Sequence, residues 1–227
     1  APRVGGPHSG GRVGVIPTDE FYRLYTGSPN GEISPAQWLR IPESYLATAT
    51  NGEVFYDQWG EFSRIRNKLL AFYPEDVRLK KIAARAARMA QAGQYNHPRC
   101  LRRQEPVAAA LALAEFVDSA MSIIFLLNKK YMPFYKWAHR ALSALPVLGA
   151  EAHALLAGLV RGAYFGAGDA AGSPGGEIIE RVCRLVAERL RVEGLSDQRD
   201  DFMAAHAESI TGRIRDDRIR NLPLMEG

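Results

Sequence analysis

Cysteine is nearly absent from this chain of 227 residues: only Cys100 and Cys183 occur, and their spacing matches no metal-ligand motif. A disulfide scaffold is thereby excluded, and so small a thiol content suits a reduced, cytoplasmic setting. Excess charge is scarce as well, because 29 Lys and Arg against 25 Asp and Glu leave a net charge of +4. That balance alone does not mark a nucleic-acid binder, and nucleic acid is not expected as a partner. No signal-peptide layout opens the chain; residues 1–11 are rich in glycine and proline and read as a tail or a cut edge. An uninterrupted apolar run of membrane-spanning length is also missing. Residues 107–127 come nearest, but Glu115 and Asp118 stand within them, each costing roughly 2 kcal/mol or more in a bilayer. A buried core helix is expected there, and no membrane partner. His8, His97, His139, His153 and His206 stand singly with no i, i+4 pair, so no metal site is expected.

What is present is a chain 47% hydrophobic, long enough for one large domain or about one and a half domains of roughly 150 residues. Helix signals dominate from Ser34, which with Pro35 supplies an N-cap and first helical residue before positions 36–40. Pro42 then opens a second short turn that Asn51-Gly52 stops. Further helices are expected over residues 61–72, 75–92, 104–130, 133–144, 148–165, 177–193 and 197–220. Strand patterns are confined to residues 13–16 and 53–56. The fold class that follows is mainly α, a helical bundle with a small N-terminal β element. The glycine-rich stretch 166–176 has no strand before it and no Lys-Ser or Lys-Thr after it, so it reads as a mobile connector, not a phosphate-cradling loop.

Acidic residues are missing altogether between Arg78 and Arg103, where eight basic ones fall: Arg78, Lys80, Lys81, Arg85, Arg88, Arg99, Arg102 and Arg103. At helical spacing Arg78, Lys81, Arg85 and Arg88 share a face opposite an apolar stripe of Leu79, Ile82, Ala83, Ala86, Met89 and Ala90. The expected result is a basic ridge, followed by a turn in which Gln94, Tyr95, Asn96 and Arg99 add amide, phenol and guanidinium groups. With Arg103, this set suits a phosphate or a nucleotide. A solvated helix whose arginines pair with acids elsewhere accounts for the same pattern. Aromatic residues for base stacking are few here, only Tyr95 within the run.

On the apolar helix that follows, Gln104, Glu115, Asp118, Ser119, Ser122 and Lys129 fall in one sector. Buried acids need partners or a wet cleft. Glu115 is the candidate general base, with Asp118 beside it, and a paired acid fixing helix register is the alternative. At the end of that helix Asn128, Lys129, Tyr131 and Lys136 join cations to the rings of Phe134, Tyr135 and Trp137. These rings either stack on a ligand or close the core.

Several segments together resemble a known family: Trp38-Leu39-Arg40-Ile41-Pro42-Glu43, Asn51-Gly52-Glu53-Val54-Phe55, Ile65-Arg66, Tyr73-Pro74-Glu75-Asp76-Val77-Arg78, Gly93-Gln94-Tyr95-Asn96, Leu126-Leu127-Asn128-Lys129 and Tyr135-Lys136-Trp137. They are similar to a bacterial family of unassigned function whose helical domain follows a nucleotidyltransferase-like domain of the kanamycin-nucleotidyltransferase type. The likeness covers about residues 21–146, and residues 210–223 look like the close of that family's chains. In nucleotidyltransferases of this superfamily a Gly-Ser turn and an Asp-x-Asp pair hold Mg²⁺ and a nucleoside triphosphate. Here Gly27-Ser28 leads into Pro29-Asn30, with no such pair. Val13-Gly14-Val15-Ile16 looks like the last strand of that sheet, with Gly14 where an acid would be plausible.

The resemblance implies residues 1–33 as a tail and sheet remnant, a helical core over 34–146 and C-terminal helices over 147–227. It implies a substrate- or nucleotide-binding region unable to transfer alone, with Mg²⁺ and nucleoside triphosphate only where a catalytic domain is supplied. Expected partners are a small anionic or nucleotide ligand and a nucleotidyltransferase subunit or a second copy. A non-catalytic interaction module, and an enzyme of different chemistry using the helical cleft, are the alternatives.

Overall fold

The computed structural model describes residues 14–165 and 174–227. It is mainly helical, with no strand among the described residues. The chain opens with α1 (Thr18–Thr26), a helix not expected from the sequence, which has Asp19 and Glu20 in its first turn and ends at Gly27 in the left-handed conformation. Its Tyr22 is buried and donates its hydroxyl to the carbonyl of Phe62 at 3.1 Å. The small β element expected at residues 13–16 does not form over its described part: 14–17 are irregular, and Val15 is 102% exposed, with no sheet to join. Residues 53–56 form no strand either, and Phe55 (93% exposed) and Tyr56 point to solvent.

Ser34 caps α2 (Pro35–Arg40) through a reciprocal pair with Gln37, as the Ser-Pro signal implies. Then follow α3 (Glu43–Thr50) and α4 (Glu61–Leu70). α4 stops short of residue 72 because Phe72 adopts a left-handed φ of 74°, which turns its ring into the core against Tyr73 and Tyr131.

The centre of the molecule is α5 (Glu75–Met89), packed most extensively on α11 (Met203–Thr211) and α7 (Pro106–Leu127). Ala83, Ala84, Ala86 and Ala87 are all buried, and their small side chains let these helices approach closely. α5 does not end at Gly93. It continues as a π-helical turn, Ala90–Asn96, and then α6 (His97–Arg102). Gly93 has a packing reason: a Cβ there would lie 2.3 Å from the ring of Phe116 on α7.

α7 begins two residues later than its pattern suggests, since Gln104 takes a left-handed φ of 58° and Pro106 then occupies the first turn. It is long and apolar enough to cross a membrane, yet its C-terminal half is buried against the other helices. The remaining elements are α8 (Tyr135–Leu142), α9 (Gly149–Phe165), α10 (Pro174–Val192) and α12 (Asp217–Arg220). The helix expected over 197–220 is broken. Arg191 donates to the carbonyls of Gln198, Arg199 and Asp200, and His206 bonds to Asp200 as well, so residues 197–202 form a tied loop. One apolar core runs from Tyr22 to Ile219. Most of the glycine-rich stretch 166–176, together with His8 and Val13, lies outside the described residues.

Candidate ligand cleft and buried polar cluster

The expected phosphate ligands fall into three separate places. The first is an open cleft of about 970 Å³ between α3, the end of α4, the end of α7 and α8. Lys129, Tyr131 and Lys136 line it, joined by Lys130, Trp137 and Tyr45. Lys129, Lys130 and Lys136 are exposed, and none has a carboxylate within salt-bridge distance among the described residues. The Lys136 ammonium lies 5.8 Å from the centroids of both Phe134 and Trp137. Lys129 holds a left-handed φ of 51° at the position just past α7 where glycine or asparagine is usual. Tyr131 is mostly core: it is buried, its hydroxyl donates to the Leu69 carbonyl at 2.7 Å, and burial pushes its pKa upward. Asn128 braces the cleft from behind, accepting from Val147 N–H at 2.9 Å and donating to Val147 and Ile124 carbonyls.

The second place is the α5 ridge, and here the expectation needs correction. Arg78, Lys80 and Lys81 do not face solvent; Lys80 is 0% and Lys81 2% exposed, because α11, α7 and the C-terminal segment enclose α5 on several sides. Arg85 donates through Nε to Ser122 Oγ at 3.0 Å and through a terminal nitrogen to Glu43 Oε1 at 2.9 Å. Ser122 in turn donates to the Glu43 carboxylate at 3.0 Å. Glu43, at the start of α3, is thus the buried acid of this cluster, and the sequence reading missed it. The signal for it was indirect: the acids of α5, Glu75 and Asp76, are confined to its first turn, so the cations further along it need a counter-charge on another element.

Lys81 donates to the Leu39 carbonyl at 3.3 Å and lies 5.2 Å from the Tyr73 ring centroid. Burial first, and Arg85 and Arg88 next, push its pKa down to about 8 against the opposing pull of Glu43. The Tyr73 hydroxyl is buried with no hydrogen-bond partner. Its pKa is raised well above the ordinary value, by burial and then by the charge of Glu43.

Glu115 and Asp118 stand at the solvent edge of this cluster, both exposed, Glu115 within electrostatic reach of Arg88. The surrounding protein still raises the pKa of Asp118, with Glu43 and Glu115 adding to that effect and Arg85 and Arg88 opposing it. Glu115 therefore differs from the partly enclosed base expected of it.

The third place is the π-helical turn. Gln94 is a structural latch: its amide donates to Glu180 at 2.8 Å and to the Asp201 carbonyl at 3.1 Å, and its oxygen accepts from Met203 N–H at 2.9 Å. Tyr95 and Arg99 pair with one another on the surface at 2.6 Å, Asn96 is half-buried and Arg103 is exposed. This turn lines neither the 970 Å³ cleft nor the Glu43 cluster.

Among the described residues no three His, Cys, Asp or Glu side chains converge to hold a metal ion. The described residues therefore do not fit a two-metal nucleotidyl-transfer centre. His139 and His153, distant in sequence, do stack at 4.0 Å between α8 and α9.

The molecule is thus a helical bundle with one open cationic and aromatic cleft beside a buried ion-paired cluster. Residues 38–138 of it, from α2 into α8, match the model of DUF4037, a domain of unknown function. No curated protein and no solved structure matches the chain. The matched segment holds Glu43, Lys81, Arg85, Ser122, Lys129, Lys136 and Trp137, while residues 222–227 lie outside it.

Proposed function

We propose that this chain is the substrate-binding helical region of a nucleotidyltransferase-like system, holding a nucleotide or phosphorylated acceptor in the cleft between α3, α7 and α8. The observation that carries this reading is the convergence of three exposed lysines, in no salt bridge among the described residues, with the Trp137, Phe134 and Tyr45 rings on one open cleft. Exposed ammonium groups held in no salt bridge suit phosphate oxygens, and an aromatic wall suits a planar base or ring. Trp137 is half-exposed at the cleft, so its fluorescence reports on ligand entry. The charge placement supports binding and orientation. Transfer itself would require carboxylates and metal supplied by another domain or subunit.

The test is titration of the chain with ATP, GTP and a sugar phosphate, read by Trp137 fluorescence and thermal shift. At least one is expected to bind, and Lys129→Glu/Lys136→Glu to weaken it at least about tenfold through loss of charge-assisted contacts. Absence of binding by every phosphorylated probe, or binding indifferent to those substitutions, overturns the reading.

A further inference from the structure

Residues 222–227 follow α12 without helical structure beyond a turn and lie along α5. They hold on mainly by main-chain oxygens. Lys80 donates to the Leu222 carbonyl at 2.7 Å, Arg88 to that of Met225 at 2.8 Å, and Arg85 to the oxygen of Gly227. Gly227 lies so close to α5 that a Cβ on it would meet Ala84 and the backbone of Lys80 and Lys81 at 3.2–3.3 Å. Leu224 and Met225 are only partly buried, whereas the cations beneath them are desolvated. The Leu222 and Met225 carbonyls are neutral and so weak partners for buried cations, and charged acceptors make much stronger ones.

Two further groups within electrostatic reach of Arg85 and Glu43 are under-used. Lys81 has one long carbonyl contact, and Tyr73, whose ring lies under its ammonium, has a buried hydroxyl with no hydrogen-bond partner. Buried polar groups without partners are uncommon in proteins, and such gaps mark places where a ligand or ion completes the bonding. Glu43 adds a carboxylate, already held by Arg85 and Ser122, that can accept from a hydroxyl.

We infer that the surface of α5 beneath residues 222–227 is a second anion site, for a phosphoryl group, and that this segment is the displaceable strap that closes it. With the strap lifted, Arg85 and Arg88 offer guanidinium donors that the main-chain oxygens of Gly227 and Met225 now occupy. Lys81 and Tyr73 add an ammonium and a phenol from below, and Glu43 accepts from a protonated phosphate oxygen or an ester's neighbouring hydroxyl. The site is distinct from the cleft of the proposed function, which shares none of these side chains.

The test uses inorganic phosphate and pyrophosphate on three proteins: the full chain, a variant lacking residues 223–227, and that variant carrying Arg85→Gln/Arg88→Gln. Removing the strap is expected to tighten pyrophosphate binding by at least about tenfold, and the arginine substitutions to reverse the gain. A peptide of residues 221–227 is expected to compete. A shortened chain that keeps its helical circular dichroism yet binds no tighter overturns the inference, as does tightening that survives the arginine substitutions. Should the shortened chain fail to fold, hydrogen exchange on the full chain decides. Saturating pyrophosphate is expected to accelerate exchange of the amides at 224–227, and unchanged exchange there refutes the strap. Failure of the cleft shows instead as loss of nucleotide binding with Lys129→Glu/Lys136→Glu, so the two ideas stand or fall separately.

Discussion

Lys129 carries two roles that pull against each other. As the residue closing α7 it sits at φ 51°, a region that costs a side-chain-bearing residue of the L series roughly 1 kcal/mol relative to glycine. As a lining residue of the cleft it contributes an exposed ammonium. Lys129→Gly is therefore expected to raise the stability of the fold by about 0.5–1 kcal/mol in urea denaturation while weakening the phosphorylated ligand of the cleft. A protein that gains stability and keeps full affinity would show that the ammonium does not touch ligand. This strain was invisible in the sequence, where Asn128-Lys129-Lys130 reads simply as a basic helix end. The cations of the cleft were legible because charge beside aromatic residues at a helix end is a local pattern. Glu43 was not, since its burial depends on Arg85 and Ser122 arriving from two other helices.

At the scale of elements, propensity and caps identified α2 to α5 and α7 to α10, misjudged where several of them stop, and missed α6, which stands where a turn was expected. Residues 75–92 were expected to end at Gly93, a standard breaker, but tertiary contact overrides that preference. Phe116 presses its ring where a Cβ would stand, and the backbone widens into a π-turn around it. Gly93→Ala is expected to destabilise the protein by about 2 kcal/mol or more, from overpacking against Phe116. Gly93→Ala/Phe116→Leu is expected to recover part of that loss, because the smaller side chain vacates the space. Thermal denaturation of the single and double variants checks it; additive losses would show that the close approach is not the cause. α1 went unseen for a different reason, being short and preceded by irregular chain, so that only its packing of Tyr22 on Phe62 makes it a helix worth forming.

For the whole molecule, the Glu43–Arg85–Ser122 cluster joins α3, α5 and α7, three elements with little else polar in common. A buried pair is a modest source of net stability, but breaking it from one side leaves an uncompensated charge. Glu43→Ala is expected to cost about 3–5 kcal/mol, measured by chemical denaturation. The double variant Glu43→Leu/Arg85→Met is expected to cost clearly less, as both charges leave the interior together. Equal losses in single and double variants would mean that Arg85 is held chiefly by its bond to Gly227. Mean composition could not anticipate this arrangement, because a net charge of +4 carries no information about which cations meet acids inside.

The π-turn also decides how the acid-free run is distributed in space. A π-turn carries about one residue more than an α-turn, which shifts the helical phase of everything beyond it by about 100°. The spacing that lines up Arg78, Lys81, Arg85 and Arg88 consequently does not carry through to Arg99, Arg102 and Arg103. A stretch contiguous in sequence becomes two electrostatic neighbourhoods, one turned inward under the C-terminal segment and one turned toward water. Deleting a single residue from 90–96 would close the π-turn yet leave the two neighbourhoods apart, because the shortened spacing from Arg88 to Arg99 would itself carry the offset of about 100°.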